Sequence, residues 1–328
     1  MRKILVVNMN YMGDALLTTP ALAALRCAYP DARIDTVVGA GTAADVLRGN
    51  PDLNEVIPRT ARGSWGRCLQ IFRLLRDRHY TDAVILPPLP AYAAAAWLAR
   101  TPRRVGQAGR GMNRFLTDLR PTRAVHMADA MLDTVPVPPD CRPARRSLTV
   151  MVGSEARERA ARLLSEAGIN PLRPLIAVNV GATRPQKRWF APSFATVIDS
   201  LPDVQCVLVG AGDTDAALAL DVLGLASARP VNLVGKTDVK TLAAVLAQCD
   251  VLLSADSGPM HLATAVGTPA VALFGSTDPA VTGPYDEASE ALYKALPCAP
   301  CGNHPTCEGR FDCLRAITPD EVTLSVRS

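Results

Sequence analysis

No apolar run in this 328-residue sequence reaches the ~20 residues that a membrane-spanning helix needs; Arg or Asp interrupts every candidate. The opening MRKILVVNMN has too short an apolar part for a secretory leader, and no small-residue cleavage site follows it. Aromatic residues are scarce, 5% of the total, and the basic residues show no interleaved aromatics, which argues against nucleic acid as a partner. There is no repeat at a fixed period and no low-complexity tract. No segment reads as a coiled coil or a membrane-lying helix, so the expected membrane contact is at most peripheral. These absences leave a cytoplasmic globular protein. Hydrophobic residues make up 48% and charged residues 20%, too apolar for a disordered chain and enough to build about two domains.

Nine cysteines are present. In a reducing compartment they argue for free thiols or a metal site rather than a disulfide framework. The net charge of +4 is uneven. Residues 1–150 carry 21 Lys and Arg against 12 Asp and Glu, and residues 151–328 carry 14 against 19. One reading is ordinary surface variation; the other is that the first half receives an anionic partner.

Short apolar runs alternate with amphipathic stretches, the pattern of α/β layers with parallel strands. Strands are expected at 3–7, 34–38, 83–86 and 104–105, and again at 175–178, 205–209, 231–233, 251–253 and 270–273. Helices are expected at 15–29, 65–78, 154–167, 192–200, 214–223, 239–248 and 259–266. In the second of these helices Leu69, Phe72 and Leu75 share a helical spacing. The proline-rich VPVPPDCRPAR, residues 136–146, crosses between layers. Gly168 stops the helix before it. The division therefore falls near residues 168–174, with one doubly wound domain over 1–170 and another over 171–328, ligands meeting the carboxyl ends of their strands.

Three strand-to-helix turns carry chemistry. After the first strand, NMNYMGDALLTTP places Gly13 for a tight turn and Asp14 at the helix opening. There Asp14 is either an N-cap or a general base facing the strand ends. After the first strand of the second domain, NVGATRPQKRW sets Thr183 before Arg184, Lys187 and Arg188. Lys187 offers a point charge to a phosphate, and an arginine offers a fork; the alternative is a solvated basic loop. In DVLLSADSGPMHLA a strand runs into a small polar loop, with Pro259 in the first helical turn. Open N–H groups at that helix start form an anion site. Ser257 and Gly258 let a phosphate come close, Asp256 caps the helix or binds a sugar hydroxyl, and His261 lies one turn in. A fourth turn, VGAGDTD, puts Gly210 and Asp213 after a strand. It lacks the third glycine of a dinucleotide fingerprint, and the first turn also lacks that pattern, which weakens a dehydrogenase reading.

In this order the segments resemble glycosyltransferase family 9, the ADP-heptose:lipopolysaccharide heptosyltransferases. The carriers are GDALLTTPALAALRCAYPDARI, NVGATRPQKRW and DVLLSADSGPMHLATAVGTPAVALFGSTDP, with Gly235-Lys236-Thr237 resembling the connection beneath the nucleotide base. The resemblance implies a GT-B fold of two Rossmann-like domains, the acceptor on the first and the nucleotide-sugar on the second. It implies that Asp14 is the base and that Lys187 neutralises the diphosphate. Thr183, Arg184, Gly210, Asp213, Gly235, Asp256, Ser257, Gly258 and His261 would hold the ADP-heptose donor. Many members have a Glu after the VGxG turn, where Asp213 and Asp215 stand here. The chemistry implied is an inverting transfer through an oxocarbenium-like state, the leaving group's charge being met without a metal cofactor. Acceptor candidates are Gly13, Arg59, Arg62, Arg103, Arg104, Arg110, Arg120 and Arg123, the basic half suiting an anionic glycan or glycolipid. A protein (autotransporter) or a small natural product is an alternative acceptor. A non-catalytic sugar-nucleotide binding module is the alternative of another class.

The run from Cys298 to Cys313 has the spacing C-x2-C-x5-C-x5-C. Cys298, Cys301, Cys307 and Cys313 could give a tetrathiolate for structural Zn or Fe, with reduced thiols or a local disulfide as alternatives. The other five, Cys27, Cys68, Cys141, Cys206 and Cys249, read as small core residues.

Overall fold

The computed structural model describes residues 1–109 and 111–327. It divides into two compact units, one over Met1–Met151 and the other from Val152 onward. The division precedes the expected one because the helix at Ser154–Glu166 packs on a helix of the second unit, and Arg159 pairs there with Asp238 at 3.1 Å. Gly168 ends that helix in the left-handed region, at φ +76°, as its position implies.

The first unit runs β1 (Lys3–Val7), α1 (Met12–Leu16), α2 (Thr19–Ala28), β2 (Arg33–Gly39), α3 (Thr42–Leu47), β3 (Glu55–Arg59), α4 (Gly63–Asp77), β4 (Asp82–Ile85), α5 (Pro90–Leu98), β5 (Arg103–Gln107), β6 (Asp118–Arg120) and α6 (Met127–Thr134). All its strands are parallel, in the order β3-β2-β1-β4-β5-β6. Covered on both faces, the central strands read as continuous apolar runs, and Leu5, Val7, Val37 and Ile85 are buried with Ile71 and Leu75 of α4. The single helix expected over 15–29 is two. Pro20 cannot donate to residue 16 and its ring crowds that carbonyl, so the chain breaks and restarts with Pro20 in the first turn of α2.

The second unit continues with α7 (Ser154–Glu166), β7 (Leu175–Asn179), α8 (Ala191–Asp199), β8 (Gln205–Val209), α9 (Asp213–Leu225), β9 (Val231–Asn232), α10 (Val239–Leu246), β10 (Val251–Ala255), α11 (Gly258–Ala265), β11 (Ala270–Phe274), α12 (Pro279–Thr282), β12 (Glu290–Tyr293), α13 (Asp312–Arg315) and α14 (Pro319–Arg327). Its order, β12-β11-β10-β7-β8-β9, is the same doubly wound order in mirror listing, again all parallel. Val178, Leu208, Leu253 and Leu273 face a core closed by Phe194 and Trp189. In each sheet the winding reverses beside the first strand, between β1 and β4 and between β7 and β10. Such reversals open a crevice at the carboxyl ends of the strands.

Two cysteines overturn the reading of scattered core thiols. Cys27, exposed at the end of α2, and Cys141, in a 3-10 turn at Pro139–Cys141, form a disulfide with their Cα atoms 5.5 Å apart. The helix end and the turn meet because Tyr29 Oη also donates to the Pro136 carbonyl at 2.8 Å. The link spans 114 residues. Removing a long-loop disulfide costs roughly 3 kcal/mol, so Cys27→Ser is expected to lower the urea midpoint of the chain. The same shift should follow when wild type is reduced. Equal midpoints for oxidised, reduced and substituted protein would dismiss the link.

Candidate active site

In the second unit, five loops leave the carboxyl ends of β7, β8, β9, β10 and β11. Asn179 closes β7 and is fully buried. Its Nδ2 donates to Ser257 Oγ at 2.7 Å, Ser254 Oγ at 3.1 Å and the Gly181 carbonyl at 3.0 Å. One amide thus ties the loop after β7 to the loop after β10 across the winding reversal. Lys187 Nζ reaches Asp256 Oδ2 at 2.6 Å, and Thr277 of the loop after β11 donates to the same oxygen. Three loops meet at one carboxylate. Asp256 is therefore the anchor of Lys187 and not the cap of α11, whose cap position is Ser257 with no side-chain hydrogen bond onto the helix. Pro259 lies in the first helical turn, and His261 is buried one turn in.

The Lys187 loop is braced from behind. Arg188 Nε donates to the Ala182 carbonyl at 2.8 Å, and buried Trp189 donates from Nε1 to the Leu314 carbonyl at 3.1 Å. Thr183 is exposed and Arg184 half-buried. The loops after β8 and β9 are joined by Gly235 N donating to the Gly210 carbonyl at 3.0 Å. Asp213 is exposed as the first residue of α9, where a carboxylate suits the helix dipole. Asp215 accepts from Ala211 N at 3.0 Å and lies so close to Gly181 and Gly210 that a Cβ at either would strike its carboxylate. It holds the turn, leaving Asp213 as the outward acid.

In the first unit the loop after β1 is equally fixed. Asn8 is buried, donating to Thr18 Oγ1 at 2.9 Å. Gly39 N donates to the Met9 carbonyl at 2.9 Å, an approach too close for any side chain at position 39. The cap position of α1 is Tyr11; Gly13 and Asp14 follow within the first helical turn. Asp14 is half-buried there and is not the cap.

The arginines sort into different places. Arg59 is buried beneath the β1 loop, where Nη2 donates to the Asn8 and Met9 carbonyls at 2.8 and 3.1 Å and the guanidinium lies over the Tyr92 ring. Desolvation pushes its pKa below the ordinary arginine value. Through Nη2 it braces the loop, while Nε and Nη1 are buried without a hydrogen-bond partner. Arg104 is at the amino end of β5, opposite the carboxyl-end loops, donating to the Phe115 and Thr101 carbonyls at 2.6 Å each. Arg103 pairs with Asp118 at 2.6 Å at that same end. Neither serves a site at the strand ends. Arg110 lies outside the described residues. Arg62 is exposed at the cap of α4. Arg120, the last residue of β6, and Arg123 line an open cavity of about 600 Å³ with Pro121, Asp133 and Arg142. Arg142 pairs with Asp133 at 2.9 Å and adjoins the disulfide. Sequence reasoning missed Arg142, although CRPARR was a visible basic run.

The tetrathiolate is not formed. Among the described residues no three His, Cys, Asp or Glu side chains come together as a metal would require. Cys298 is exposed, whereas Cys313 is buried with Leu314 against Gly275 and Cys307 Sγ accepts from Phe311 N at 3.3 Å. The reading of these four cysteines as a Zn or Fe site is therefore without support here. The loop braces the site through its backbone instead: Gly302 N donates to the Ser276 carbonyl at 2.6 Å, and Gln186 donates to the Gly302 carbonyl at 3.3 Å.

Residues 68–311, well over half of the chain, match the model of glycosyltransferase family 9 (heptosyltransferase). Lipopolysaccharide heptosyltransferase 3 of Escherichia coli K12 is 27% identical over 85% of this chain and 84% of its own. A glycosyltransferase family 9 structure from Veillonella parvula superposes with a TM-score of 0.84 at 26% identity, over 100% of this chain and 98% of the other. The E. coli ADP-heptose lps heptosyltransferase II structure gives 0.79 at 25% identity, over 99% and 97%. Two Rossmann-like units of this kind make the fold GT-B.

Proposed function

This chain belongs to glycosyltransferase family 9, the heptosyltransferases, and from that membership we propose that it moves a heptose from ADP-heptose to a hydroxyl of a lipopolysaccharide inner-core acceptor. The observation that carries the reading is the meeting of Lys187, Asp256 and Thr277 at the start of α11. A diphosphate laid there is met by Lys187, the Ser257–Gly258 backbone and the positive end of the helix. Thr183, Arg184, Gly210, Asp213 and Gly235 border the same strand ends and suit the nucleotide, while His261 lies beneath the phosphates.

As the sugar C1–oxygen bond breaks, negative charge gathers on the ADP oxygens and these donors stabilise it. Asp14 takes the proton from the attacking acceptor hydroxyl, on the face opposite the leaving group, so the anomeric centre inverts. The acceptor is anionic: Arg120, Arg123 and Arg142 offer forks to phosphate or carboxylate, and Arg62 is exposed after β3, at the other edge of the same sheet. The reaction is assigned to the cytoplasmic side, and no described helix is long and apolar enough to cross a membrane.

A thermal-shift panel of ADP-, UDP-, GDP- and CDP-sugars tests the donor. Preferential stabilisation by ADP-heptose is expected, about 2.7 kcal/mol at a hundredfold excess over the dissociation constant. A preference for another nucleotide would remove the donor assignment. Binding without turnover on any glycan acceptor would leave a sugar-nucleotide module.

A further inference from the structure

Helix α4 carries two apolar stripes. At about 100° per residue, Ile71 and Leu75 fall on one side, where both are buried. Trp65 and Leu69 fall on another side, which is not covered, and Phe72 lies between the two, packing against the core. Trp65 is 89% exposed and Leu69 44%, with Phe72 half-buried beside them. Of the expected stripe Leu69, Phe72 and Leu75, Leu75 is buried and Phe72 packs against the core, and Leu69 alone looks outward, with Ile71 the inward residue not foreseen.

Arginines surround the outer stripe. Between Glu55 and Asp77 there is no acidic residue, while Arg62, Arg67, Arg73 and Arg76 all lie in that interval. Arg62, Arg73 and Arg76 are exposed, and Arg76 lies over the Phe72 ring. The expectation that no aromatics interleave with basic residues fails here. At the carboxyl ends of β1 and β4, Tyr11 is 69% and Leu89 45% exposed. An exposed Trp–Leu stripe inside an arginine border matches a surface that is anionic outside and apolar beneath.

We propose that this face of α4 docks the first unit on an anionic lipid surface, with Trp65 and Leu69 entering the headgroup boundary and Arg73 and Arg76 meeting the phosphates. The inference rests on the lipid-linked acceptor of the proposed function for its purpose: docking would hold the β1 and β3 loops beside a substrate that cannot leave the bilayer. Each arginine near such a surface multiplies affinity about fivefold.

The test is flotation of the full chain, in a Trp97→Phe background, with vesicles of phosphatidylcholine containing about 30% phosphatidylglycerol. Binding is expected to weaken at high salt, and Trp65 emission to shift to the blue. Trp65→Ser with Leu69→Ser, or Arg73→Glu with Arg76→Glu, should each cut partitioning at least about tenfold. The ADP-induced thermal shift, which reads the other unit, should be unchanged in both variants. Equal partitioning of variants and wild type, equal binding to pure phosphatidylcholine, or displacement by single-stranded oligonucleotide would overturn the docking alone. A wild type that floats with vesicles yet gains nothing from ADP would overturn the donor assignment and leave the docking standing.

Discussion

Replacing Asp14 by Asn is expected to slow heptose transfer by about a thousandfold while leaving ADP affinity within about twofold, because a positioned general base contributes roughly 10²–10⁴. Asn retains the shape of the side chain and its fit in the first turn of α1. What it loses is a group that can accept the proton of the acceptor hydroxyl. The cap of α1 is Tyr11, so the substitution removes no cap, and the melting temperature should move by a degree or two at most. ADP release measured with donor and acceptor reports the chemistry, and calorimetric titration with ADP reports the nucleotide site. If transfer survives, or if nucleotide affinity falls as far as the rate does, Asp14 is not the base.

Lys187→Met should act on both the reaction and the fold. The lysine is the cation nearest the proposed diphosphate, and losing one leaving-group donor typically costs about 10²–10³ in kcat. It is also the partner of Asp256, whose side chain is only 6% exposed. Removing one member of a buried pair strands the other, at roughly 3 kcal/mol when a further donor remains, as Thr277 does here. The combined variant Lys187→Met/Asp256→Asn separates the two effects. It should recover most of the lost stability in urea titration and none of the lost turnover. Recovery of turnover would mean that Lys187 only holds the loop; no loss of stability in the single variant would mean that the pair is not formed in solution.

Central strands were legible because burial on both faces demands unbroken apolar runs, and 3–7 and 205–209 coincide with β1 and β8. The strands that escaped, β3, β6 and β12, are all at sheet edges. β3 even contains Pro58, which an edge tolerates and a central strand does not. The donor turns were legible for a local reason, since strand, small polar loop and helix start follow one another within about a dozen residues. Their bonding was not. Asn179 meets Ser257 across 78 residues and Thr277 meets Asp256 across 21, and no local pattern encodes such pairs. Arg104 misled because a basic residue does not declare which end of its strand it occupies. Cysteine spacing misled twice, suggesting a tetrathiolate that the 298–313 loop does not assemble and hiding a bond between residues 27 and 141.

That bond changes what the first unit is as a covalent object. It closes the backbone into a ring that encloses β2 through β6, five of the six strands of the sheet. A protease cutting any loop inside the ring would open a circle rather than divide a line. The two pieces would stay one molecule until a reductant let them part.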